Sequence, residues 1–334
     1  MKLRELLANI SSDSVISDHP ALDHEITGIC TNSHACCQGD LFIGMPGTRV
    51  DGGDFWQSAI SSGAIAAMIS PEAATKYPPT ANDCVIQCAD MVTACANIAA
   101  TFYQHPTQTL KAVKAGNEYA VIEVSSHALA QGRVKACTFD VAVFTNLTQD
   151  HLDFHKDMED YFSAKAKLFD LDYLTGKAII NLDDSYGQRL INTLPKNQVW
   201  SYSVNNSDAD FYTNALTYSS TGISGVLHTP IGAFNFRSPL VGQYNLSNLL
   251  AAIASTTHFG LDIPTLLQKL PDFPGVPGRM ERVQISDTQD ISVIVDYAHT
   301  PDSLENLLKA SRPFISGKMI CVFGCGGDRD RTKR

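Results

Sequence analysis

The chain has 334 residues, 44% of them hydrophobic and 18% charged, a composition typical of a soluble globular protein with two or three domains. Its formal net charge of -10 at pH 7 provides no basic surface, so nucleic acid is not an expected partner. The nine cysteines lack the paired spacing of a zinc site, and no apolar run reaches the roughly 18 residues of a membrane span. These features predict a reduced, cytoplasmic protein that does not enter a membrane.

Short apolar strands alternate with helical stretches in the N-terminal part, a pattern typical of a small α/β domain. The predicted strands lie at 40–44, 64–69 and 84–87, and the predicted helices begin at residues 1, 55 and 91. The helix from Met91 ends near Tyr103, because the following His105-Pro106 pair disfavours helix. We place this first domain at residues 1–89.

The middle part contains nearly continuous apolar runs, as expected of parallel strands that are covered on both faces. These runs are 119–124, 141–145 and 178–181. Between Gln198 and Leu240 the pattern changes to period-two alternation with glycine and asparagine turns, which predicts antiparallel hairpins. A helix is predicted from Asn245 to His258, and a hinge rich in proline and glycine follows. We place the second domain at 90–278.

The last part, 279–334, begins a third domain of the same α/β class. Strands are predicted at 291–295 and 319–323, and a helix opens at Pro301.

Two places do not fit a free-standing fold. Leu110–Val113 has the pattern of half a central strand, yet Tyr119 begins the next run only a few residues later. Parallel neighbours need a crossover of a dozen or more residues, so we expect a segment to be missing here. The run 319–323 leads into a glycine-rich loop, and the sequence ends at Arg334, where a helix should begin.

Polar residues follow the runs of the middle part. Glu123 would be costly as an isolated carboxylate at the end of a buried strand. It is therefore interpreted as a helix N-cap, as a partner of Arg133, or as a Mg²⁺ ligand.

In the next segment, His151 and His155 have a spacing that also suits zinc. Asn146, Asp150 and Asp153 make this loop rich in oxygen ligands, which favours Mg²⁺.

Lys165 lies on a predicted helix, where a lysine commonly extends its amine into solvent. Beside bound cations, the amine would be shifted toward its neutral form and could react with CO₂ to give an anionic carbamate. Asp296–Pro301 follows a strand and opens a helix, so it is either a simple helix start or a contact for a ribose or base. The basic, glycine-rich loop 324–333 suits the approach of a phosphate.

Taken in order, these motifs resemble those of the Mur ligases, in particular the MurE type, which adds the third amino acid to the UDP-N-acetylmuramoyl peptide. The matching motifs are Thr31-Asn-Ser33, Gly39-Asp-Leu-Phe42, Glu123-Val-Ser-Ser-His127, Gln131-Gly-Arg133, Thr145-Asn-Leu-Thr-Gln-Asp-His-Leu-Asp153, Tyr161-x-x-Ala-Lys165, Asn245-x-x-Asn248, Gly278-Arg-Met-Glu281, Asp296-Tyr-Ala-His-Thr-Pro301 and Gly324-Cys-Gly-Gly-Asp-Arg-Asp330. The resemblance covers nearly the whole chain. It implies a UDP-binding N-terminal domain, a central ATP-binding domain with a mostly parallel sheet and added hairpins, and the beginning of a Rossmann-like amino-acid-binding domain.

The resemblance also implies an activity, that of an ATP-dependent amide ligase of peptidoglycan synthesis. ATP would activate the terminal carboxylate of UDP-MurNAc-L-Ala-D-Glu as an acyl phosphate, which the amine of a diamino acid would attack. In this family the diamino acid is usually meso-diaminopimelate or L-lysine, and we favour meso-diaminopimelate. ATP and Mg²⁺ are the implied cofactors, and two Mg²⁺ ions would neutralise the crowded oxygens. A monomer is the implied state.

Site residues are implied only where a motif matches. The implied metal ligands are Glu123, His151 and Lys165 as its carbamate. The implied contacts with the UDP-sugar peptide are Thr31, Ser33, Thr48, Arg49, Val50, Ser125, Gln131 and Arg133. The implied ATP contacts are Asn245, Arg279, Asp296 and His299.

The sequence departs from the family pattern in four ways. The Gly-x-x-Gly-Lys-Thr phosphate loop expected after Val113 is absent, and the chain stops before the segment that reads the incoming amino acid. His34 stands where the family usually has arginine, which puts one uridine-side contact in doubt, and Gln149 replaces a commonly charged residue.

These departures leave alternatives open. In the first, the protein contains the missing segments and is a complete ligase; we favour it because deleting a central strand would leave its neighbours unpaired. In the second, the chain is a truncated, inactive form that binds the UDP-MurNAc peptide without turnover. A folylpolyglutamate synthetase is a third alternative, disfavoured because that family lacks the N-terminal domain carrying Asn32-Ser33 and Gly39–Phe42.

Overall fold

The computed structural model describes residues 1–8, 10, 14–47, 49–103, 119–149, 152, 154–219, 222–283, 285–286, 289–312, 315 and 317–324. Contacts divide the chain into two compact units, Met1–Thr138 and Phe139–Arg334. Each unit contains its own sheet. The three domain boundaries expected from the sequence stay a prediction.

The first unit is built on a five-stranded sheet with the order β1-β5-β4-β3-β2. Its strands are β1 (Val15–Ile16), β2 (Gly28–Cys30), β3 (Asp40–Ile43), β4 (Ala66–Ile69) and β5 (Val85–Gln87). Strands β2 to β5 are parallel, and β1 pairs antiparallel with β5. Alternate residues of β3 point to opposite faces. Leu41 and Ile43 pack in one apolar cluster and Phe42 in the other, beside Trp56, so both faces of the sheet are covered.

The described helices of this unit are α1 (Leu3–Leu7), α2 (Trp56–Ser61), α3 (Pro71–Lys76), α4 (Met91–Phe102) and α5 (Ser126–Ala130). The last three begin with a side-chain N-cap. Ser70 caps α3 by accepting the amide of Ala73, and proline occupies the first helical position, where no amide hydrogen is needed. Asp90 caps α4 through the amide of Thr93. The helices and strands predicted for residues 1–103 are thus confirmed to within a few residues.

The strand predicted at 119–124 is wrong. These residues form no strand, and the side chain of Val121 is 100% exposed. The run 319–323 likewise forms no strand, and Val322 is 93% exposed. Apolar residues make a stable strand only when neighbouring strands satisfy their backbone groups, and no described strand pairs with either run. The half-strand predicted at 110–113 lies outside the described residues.

The second unit is built on a six-stranded sheet with the order β11-β10-β9-β8-β7-β6. Its strands are β6 (Phe139–Phe144), β7 (Leu174–Asn181), β8 (Val199–Ser203), β9 (Phe211–Ser219), β10 (Gly222–Thr229) and β11 (Gly232–Ser238). Strands β6 to β9 are parallel, and β9 to β11 form the antiparallel hairpins that the alternation predicted. The prediction was wrong for β8, which pairs in parallel with β7 and β9.

Helices cover both faces of this sheet. They are α6 (Met158–Ala166), α7 (Ser185–Ile191), α8 (Gln243–His258) and α9 (Ile263–Lys269). A further helix of this unit is α10 (Pro301–Ser311). In β7, Ile179 packs in the cluster of α8 and α9, whereas Ala178 and Ile180 pack in the cluster of α6 and α7. A separate antiparallel pair joins β12 (Glu281–Val283) to β13 (Val293–Val295). Within the described residues, no helix combines the length and the apolar character needed to cross a bilayer.

Candidate active site

Two neighbouring parallel strands of the first unit end in the predicted UDP-sugar segments. Thr31 and Ser33 follow β2, while Arg49 and Val50 lie in the loop after β3. Because both strands end at the same edge, these residues share one side of the sheet. Ser33 is buried, and Arg49 and Val50 are exposed, so this edge offers one buried hydroxyl beside an exposed guanidinium.

The loop after β3 is held closed by its own backbone and by the next strand. The amide of Gly52 donates to the carbonyl of Met45 at 3.0 Å. Asp51 accepts a hydrogen bond of 2.6 Å from the hydroxyl of Ser70 at the end of β4, and one of 2.7 Å from the amide of Gly53. A Cβ at Gly44 would lie 2.5 Å from the Cα of Gly53, so the two backbone segments are too close for any residue other than glycine at position 44.

The predicted substrate and metal residues around α5 lie in the first unit. Ser125 is the N-cap of α5 and accepts a hydrogen bond of 3.1 Å from the amide of Ala128. Gln131 follows the last turn, and the amide of Arg133 donates to the carbonyl of Ala128 at 2.8 Å. Glu123 is exposed, not buried, and the helix cap that was one interpretation of it belongs to Ser125. Its carboxylate therefore remains available for a ligand.

In the second unit, side chains at the end of β7 form hydrogen bonds with the segments at the ends of β6 and β8. Asn181, only 8% exposed, donates to the carbonyl of Thr145 at 2.7 Å. Asp184 accepts the amide of Leu147 at 3.2 Å. Asp183 accepts the hydroxyl of Ser203 at 2.5 Å. The beginning of the predicted metal segment, 145–153, is thus anchored to β7.

Lys165 lies in the last turn of α6, half-buried, one turn after Tyr161. Its ammonium nitrogen lies 5.4 Å from the centre of the Tyr161 ring, and that ring stacks on the buried His155 at 5.0 Å. The Nδ1 atom of His155 lies 3.4 Å from a carboxylate oxygen of Asp160. The amine is therefore held beside a rigid aromatic pair, and its position is set by packing.

Two predicted site residues, Thr48 and His151, lie outside the described residues, as do Asp150 and Asp153. Within the part that is described, no three His, Cys, Asp or Glu side chains form a set that could hold a metal ion. The predicted metal ligands stay a prediction.

Two of the predicted ATP residues, Arg279 and Asp296, lie near Tyr244 at the start of α8. Asp296 accepts the amides of Met280 and Ala298, both at 2.8 Å, and so links the β12 turn to the end of β13. Burial, and next the charge of Asp296, raise the pKa of Tyr244, while the nearby Arg279 lowers it. The Tyr244 hydroxyl is buried and has no hydrogen-bond partner among the described residues.

The other two predicted ATP residues have defined surroundings. The Asn245 amide is buried and donates to the carbonyl of Val241 at 2.7 Å, so it stabilises the start of α8. The Cζ atom of Arg279 and the ring centre of His299 lie 5.2 and 5.1 Å from the centre of the Tyr297 ring. His299 is exposed, and its Nδ1 atom lies 2.9 Å from the Tyr297 carbonyl. Arg279 and His299 thus lie beside an exposed aromatic ring, an arrangement suited to a nucleotide base or its phosphates.

Sequence reasoning missed the residues that position these groups. They are Asp51, Ser70, Asn181, Asp183, Asp184 and Tyr244. One signal was present: Asp184 precedes Ser185 directly after a strand, the pattern of a helix N-cap. For the Asn181–Thr145 and Ser70–Asp51 contacts there was none, because the partners are distant in sequence.

Three family models match the chain along its length. They are the Mur ligase family catalytic domain at residues 25–103, the Mur ligase middle domain at 89–256, and the Mur ligase glutamate ligase domain at 278–334. The middle-domain model alone spans half of the chain. This chain belongs to the Mur ligase family. The resemblance seen in the motifs is confirmed.

Relatives of high identity carry one name. The UDP-N-acetylmuramoyl-L-alanyl-D-glutamate–2,6-diaminopimelate ligase of Trichormus variabilis is 57% identical over 396 residues, covering 100% of this chain and 79% of that protein. The ligase of the same name from Gloeobacter violaceus is 45% identical and is covered to 78%. The Trichormus match is longer than the 334 residues of this chain by 62 positions, at which the relative has residues and this chain has none.

Solved structures agree with the fold. A ligase structure of the same name superposes with a TM-score of 0.74 at 28% identity, over 100% of this chain and 78% of that one. The MurF structure from Acinetobacter baumannii gives a TM-score of 0.57 at 20% identity, over 85% and 71%. The expected α/β Mur ligase architecture is therefore confirmed.

Proposed function

We propose that this Mur ligase joins 2,6-diaminopimelate to the D-glutamate carboxylate of UDP-MurNAc-L-Ala-D-Glu, with ATP as the energy source, in the cytoplasm and as a monomer. The observation that carries the proposal is the 57% identity to the relative of that name across the whole chain. The meso isomer of the amino acid is part of the proposal.

The first unit supports the binding of the nucleotide-sugar end. Thr31, Ser33, Arg49 and Val50 lie at one edge of the sheet, where loops after parallel strands commonly bind ligands. The exposed Arg49 supplies a guanidinium, which suits the diphosphate. Thr48 belongs to the same loop. Asp51 keeps this loop against β4, so little conformational entropy is lost when a ligand binds.

Mg²⁺ fits the chemistry of the donors that the structure describes. Glu123 presents an exposed carboxylate, a hard oxygen ligand of the kind that Mg²⁺ prefers. We assign Glu123, His151 and the carbamate of Lys165 as its ligands. When bound, Mg²⁺ neutralises phosphate oxygens and orients them. The packing of Lys165 against Tyr161 supports this assignment, because it limits the positions that the amine can take.

The nucleotide side is supported by the cluster around Tyr244. Arg279 and His299 present cationic or polar groups next to the Tyr297 ring, and Asp296 holds the two turns together. Together with Asn245 they are the groups that we assign to ATP. The reaction needs the amine of diaminopimelate to attack an activated carboxylate, so these groups contribute by positioning ATP near the dipeptide.

A second candidate function rests on the missing phosphate loop. No Gly-x-x-Gly-Lys-Thr segment occurs in the sequence, and without its backbone amides and lysine the β- and γ-phosphates lose their main ligands. A protein of only these residues would bind UDP-MurNAc-L-Ala-D-Glu but would not turn over ATP. The Trichormus relative has 62 positions that this chain lacks, a number large enough to include such a loop.

The deciding experiment measures binding and turnover on the same sample. The protein is incubated with ATP, Mg²⁺, UDP-MurNAc-L-Ala-D-Glu and 2,6-diaminopimelate, and the tripeptide product and phosphate are quantified by mass spectrometry and colorimetry. Calorimetry measures dipeptide binding without ATP. The intact mass is recorded as well, because a mass above 36.2 kDa shows that the protein contains further residues.

Each outcome decides between the candidates. Product formation that requires all four components supports the ligase. Dipeptide binding without phosphate release supports the binder, and the absence of both contradicts both candidates.

For the ligase, Lys165→Ala should lower kcat by at least about 100-fold, since it removes a charged group that acts on the transition state. The matched control is Lys167→Ala, two residues further on and exposed, which should retain full activity.

A further inference from the structure

Two cysteine thiols meet at one backbone carbonyl in the loop that follows β2. Cys30 is the last residue of β2, and its thiol donates to the carbonyl oxygen of Asn32 at 3.1 Å. The thiol of Cys36 donates to the same oxygen at 3.6 Å. The amide of Ala35 is a third donor, at 2.9 Å. The chain therefore reverses direction around this oxygen and brings the two sulfur atoms together.

The surroundings of the two thiols differ. Cys36 is buried among the apolar residues beneath the sheet, and Cys30 is half-buried at the edge of the same cluster. Burial, and next the neighbouring Cys30 thiol, raise the pKa of the Cys36 thiol to about 12. The adjacent Cys37 is exposed and donates instead to the Ala35 carbonyl at 3.8 Å.

We propose that Cys30 and Cys36 form a reversible dithiol–disulfide pair that controls the conformation of the Thr31–Ser33 loop. Because the two sulfur atoms lie 3.1 and 3.6 Å from the same oxygen, rotation of the side chains can bring them to bonding distance. The segment between them contains Thr31 and Ser33. A disulfide would thus change a loop that lies at the ligand-binding edge of the sheet.

Formation of the protein disulfide requires an electron acceptor, and a disulfide oxidant such as oxidised glutathione serves as that acceptor. The Cys30 thiolate attacks one sulfur of oxidised glutathione and releases one glutathione thiolate, which takes up the proton that Cys30 lost. The Cys36 thiolate then attacks the Cys30 sulfur of this mixed disulfide and releases the second glutathione. In sum, the protein dithiol loses two electrons and two protons, and one oxidised glutathione becomes two reduced molecules. Cys30 reacts first because it is the more accessible thiol of the pair.

The disulfide removes two of the three donors from the Asn32 carbonyl. In the reduced loop this oxygen fixes the turn through both thiols and the Ala35 amide. After oxidation only the Ala35 hydrogen bond remains, and the Sγ atoms are pulled toward each other. Ser33, buried in the middle of the segment, moves with the turn. The consequence for binding rests on the proposed function, because it requires Ser33 to contact the UDP-sugar; disulfide formation itself does not.

Mapping of the thiols tests the pair without any substrate. The protein is incubated with oxidised glutathione, alkylated with N-ethylmaleimide, and digested with trypsin, which leaves Cys30, Cys36 and Cys37 in the single peptide 5–49. We expect one alkylated cysteine, Cys37, and a peptide lighter by two hydrogens. Reduction with dithiothreitol before alkylation should give three labels. A label on Cys30 or Cys36 after oxidation, or stable glutathione on Cys30, would overturn the proposal.

Variants separate this pair from other pairings. Cys37→Ser should still form the disulfide and carry no label, whereas Cys36→Ser should leave Cys30 open to glutathione. A disulfide that needs Cys37 contradicts the proposal even if the buried Cys36→Ser variant fails to fold.

Binding of UDP-MurNAc-L-Ala-D-Glu then tests the control of the loop. Oxidation should raise the Kd of the wild-type protein about tenfold, the scale of one lost hydrogen bond, and dithiothreitol should restore it. Cys36→Ser should show no such change. An unchanged Kd with a mapped disulfide overturns the control of the loop. Absence of binding in the reduced protein contradicts the proposed function and leaves the mapped disulfide standing.

Discussion

The side chain of Asn181 joins the end of β7 to the carbonyl of Thr145, the first residue after β6. Its amide nitrogen lies 2.7 Å from that oxygen, and its own oxygen accepts the amide of Asp183 at 2.9 Å. One buried side chain therefore satisfies two backbone groups on neighbouring strands. Since Thr145 begins the segment that contains His151, this contact sets where that segment leaves the sheet.

Replacing Asn181 by leucine should lower the free energy of unfolding by about 1–3 kcal/mol, because it leaves a carbonyl and an amide without partners at similar volume. Urea unfolding measures the change. The matched control is Asn235→Leu on the exposed face of β11, for which we expect a change within about 0.5 kcal/mol. Equal effects of the two substitutions would contradict the role of the Asn181 hydrogen bonds.

Asp184 caps α7 and also holds Leu147. One carboxylate oxygen accepts the amides of Tyr186 and Gly187, both at 2.9 Å, and the other accepts the amide of Leu147. Loss of a helix N-cap costs about 0.5–2 kcal/mol. Asp184→Ala should therefore reduce stability by that amount and also weaken ligase activity, since the segment after β6 is released. Asp184→Asn keeps a capping oxygen and should retain most of the stability. An alanine variant with wild-type stability would exclude this role.

The fold could be predicted wherever strands find their partners within the chain. The parallel strands β3, β4 and β7 were recognised from apolar runs, because burial on both faces leaves that pattern. The run of β6 was recognised as well, although Val143 on this strand is exposed. At 119–124 the same pattern predicted a strand that does not form. An apolar run indicates that a segment can be buried, but it does not show that a neighbouring strand is present to pair with it. Strand β8 shows a related limit, since alternation does not reveal whether a neighbour is parallel.

The proposed site residues come from motifs, and the residues that support them were not predicted. Arg279 and Asp296 each belong to a short local motif, which the sequence displays directly. Tyr244 joins them only because α8 begins beside the β12 turn, a contact across more than thirty residues. Asp51 and Ser70 meet in the same way across 19 residues of sequence. Contacts of this kind depend on the register of the sheets, which the sequence pattern does not contain.

Two tyrosines with buried hydroxyl groups provide a paired test of hydrogen bonding in the second unit. The Tyr202 hydroxyl donates to the Phe144 carbonyl at 3.3 Å, whereas the Tyr244 hydroxyl has no partner among the described residues. Tyr202→Phe should lower the free energy of unfolding by about 1 kcal/mol, because a carbonyl loses its donor. Tyr244→Phe should leave it unchanged or raise it by a similar amount. Thermal unfolding of both variants measures the difference. A loss of stability in Tyr244→Phe would show that its hydroxyl has a partner.

Asp262 predicts a specific dependence of stability on pH. It caps α9, where its Oδ2 atom accepts the hydroxyl and the amide of Thr265 at 2.6 and 2.9 Å. These hydrogen bonds hold the pKa of Asp262 below its ordinary value of 3.8. Because the pKa is lowered in the folded state, the stabilisation is complete above 3.8 and is lost as the pH falls through the folded value.

The variant Asp262→Asn isolates this contribution, since asparagine caps a helix but does not titrate in this range. Urea midpoints of the two proteins are compared between about pH 6 and pH 2, which spans the ordinary carboxyl range. The stability of the wild type relative to the variant should fall as the solution becomes acidic, with the change concentrated below the ordinary pKa. Asp262→Ala, which lacks a cap at every pH, should be less stable than the asparagine variant throughout. Parallel curves for wild type and Asp262→Asn would show that the carboxylate does not gain from its contacts with Thr265.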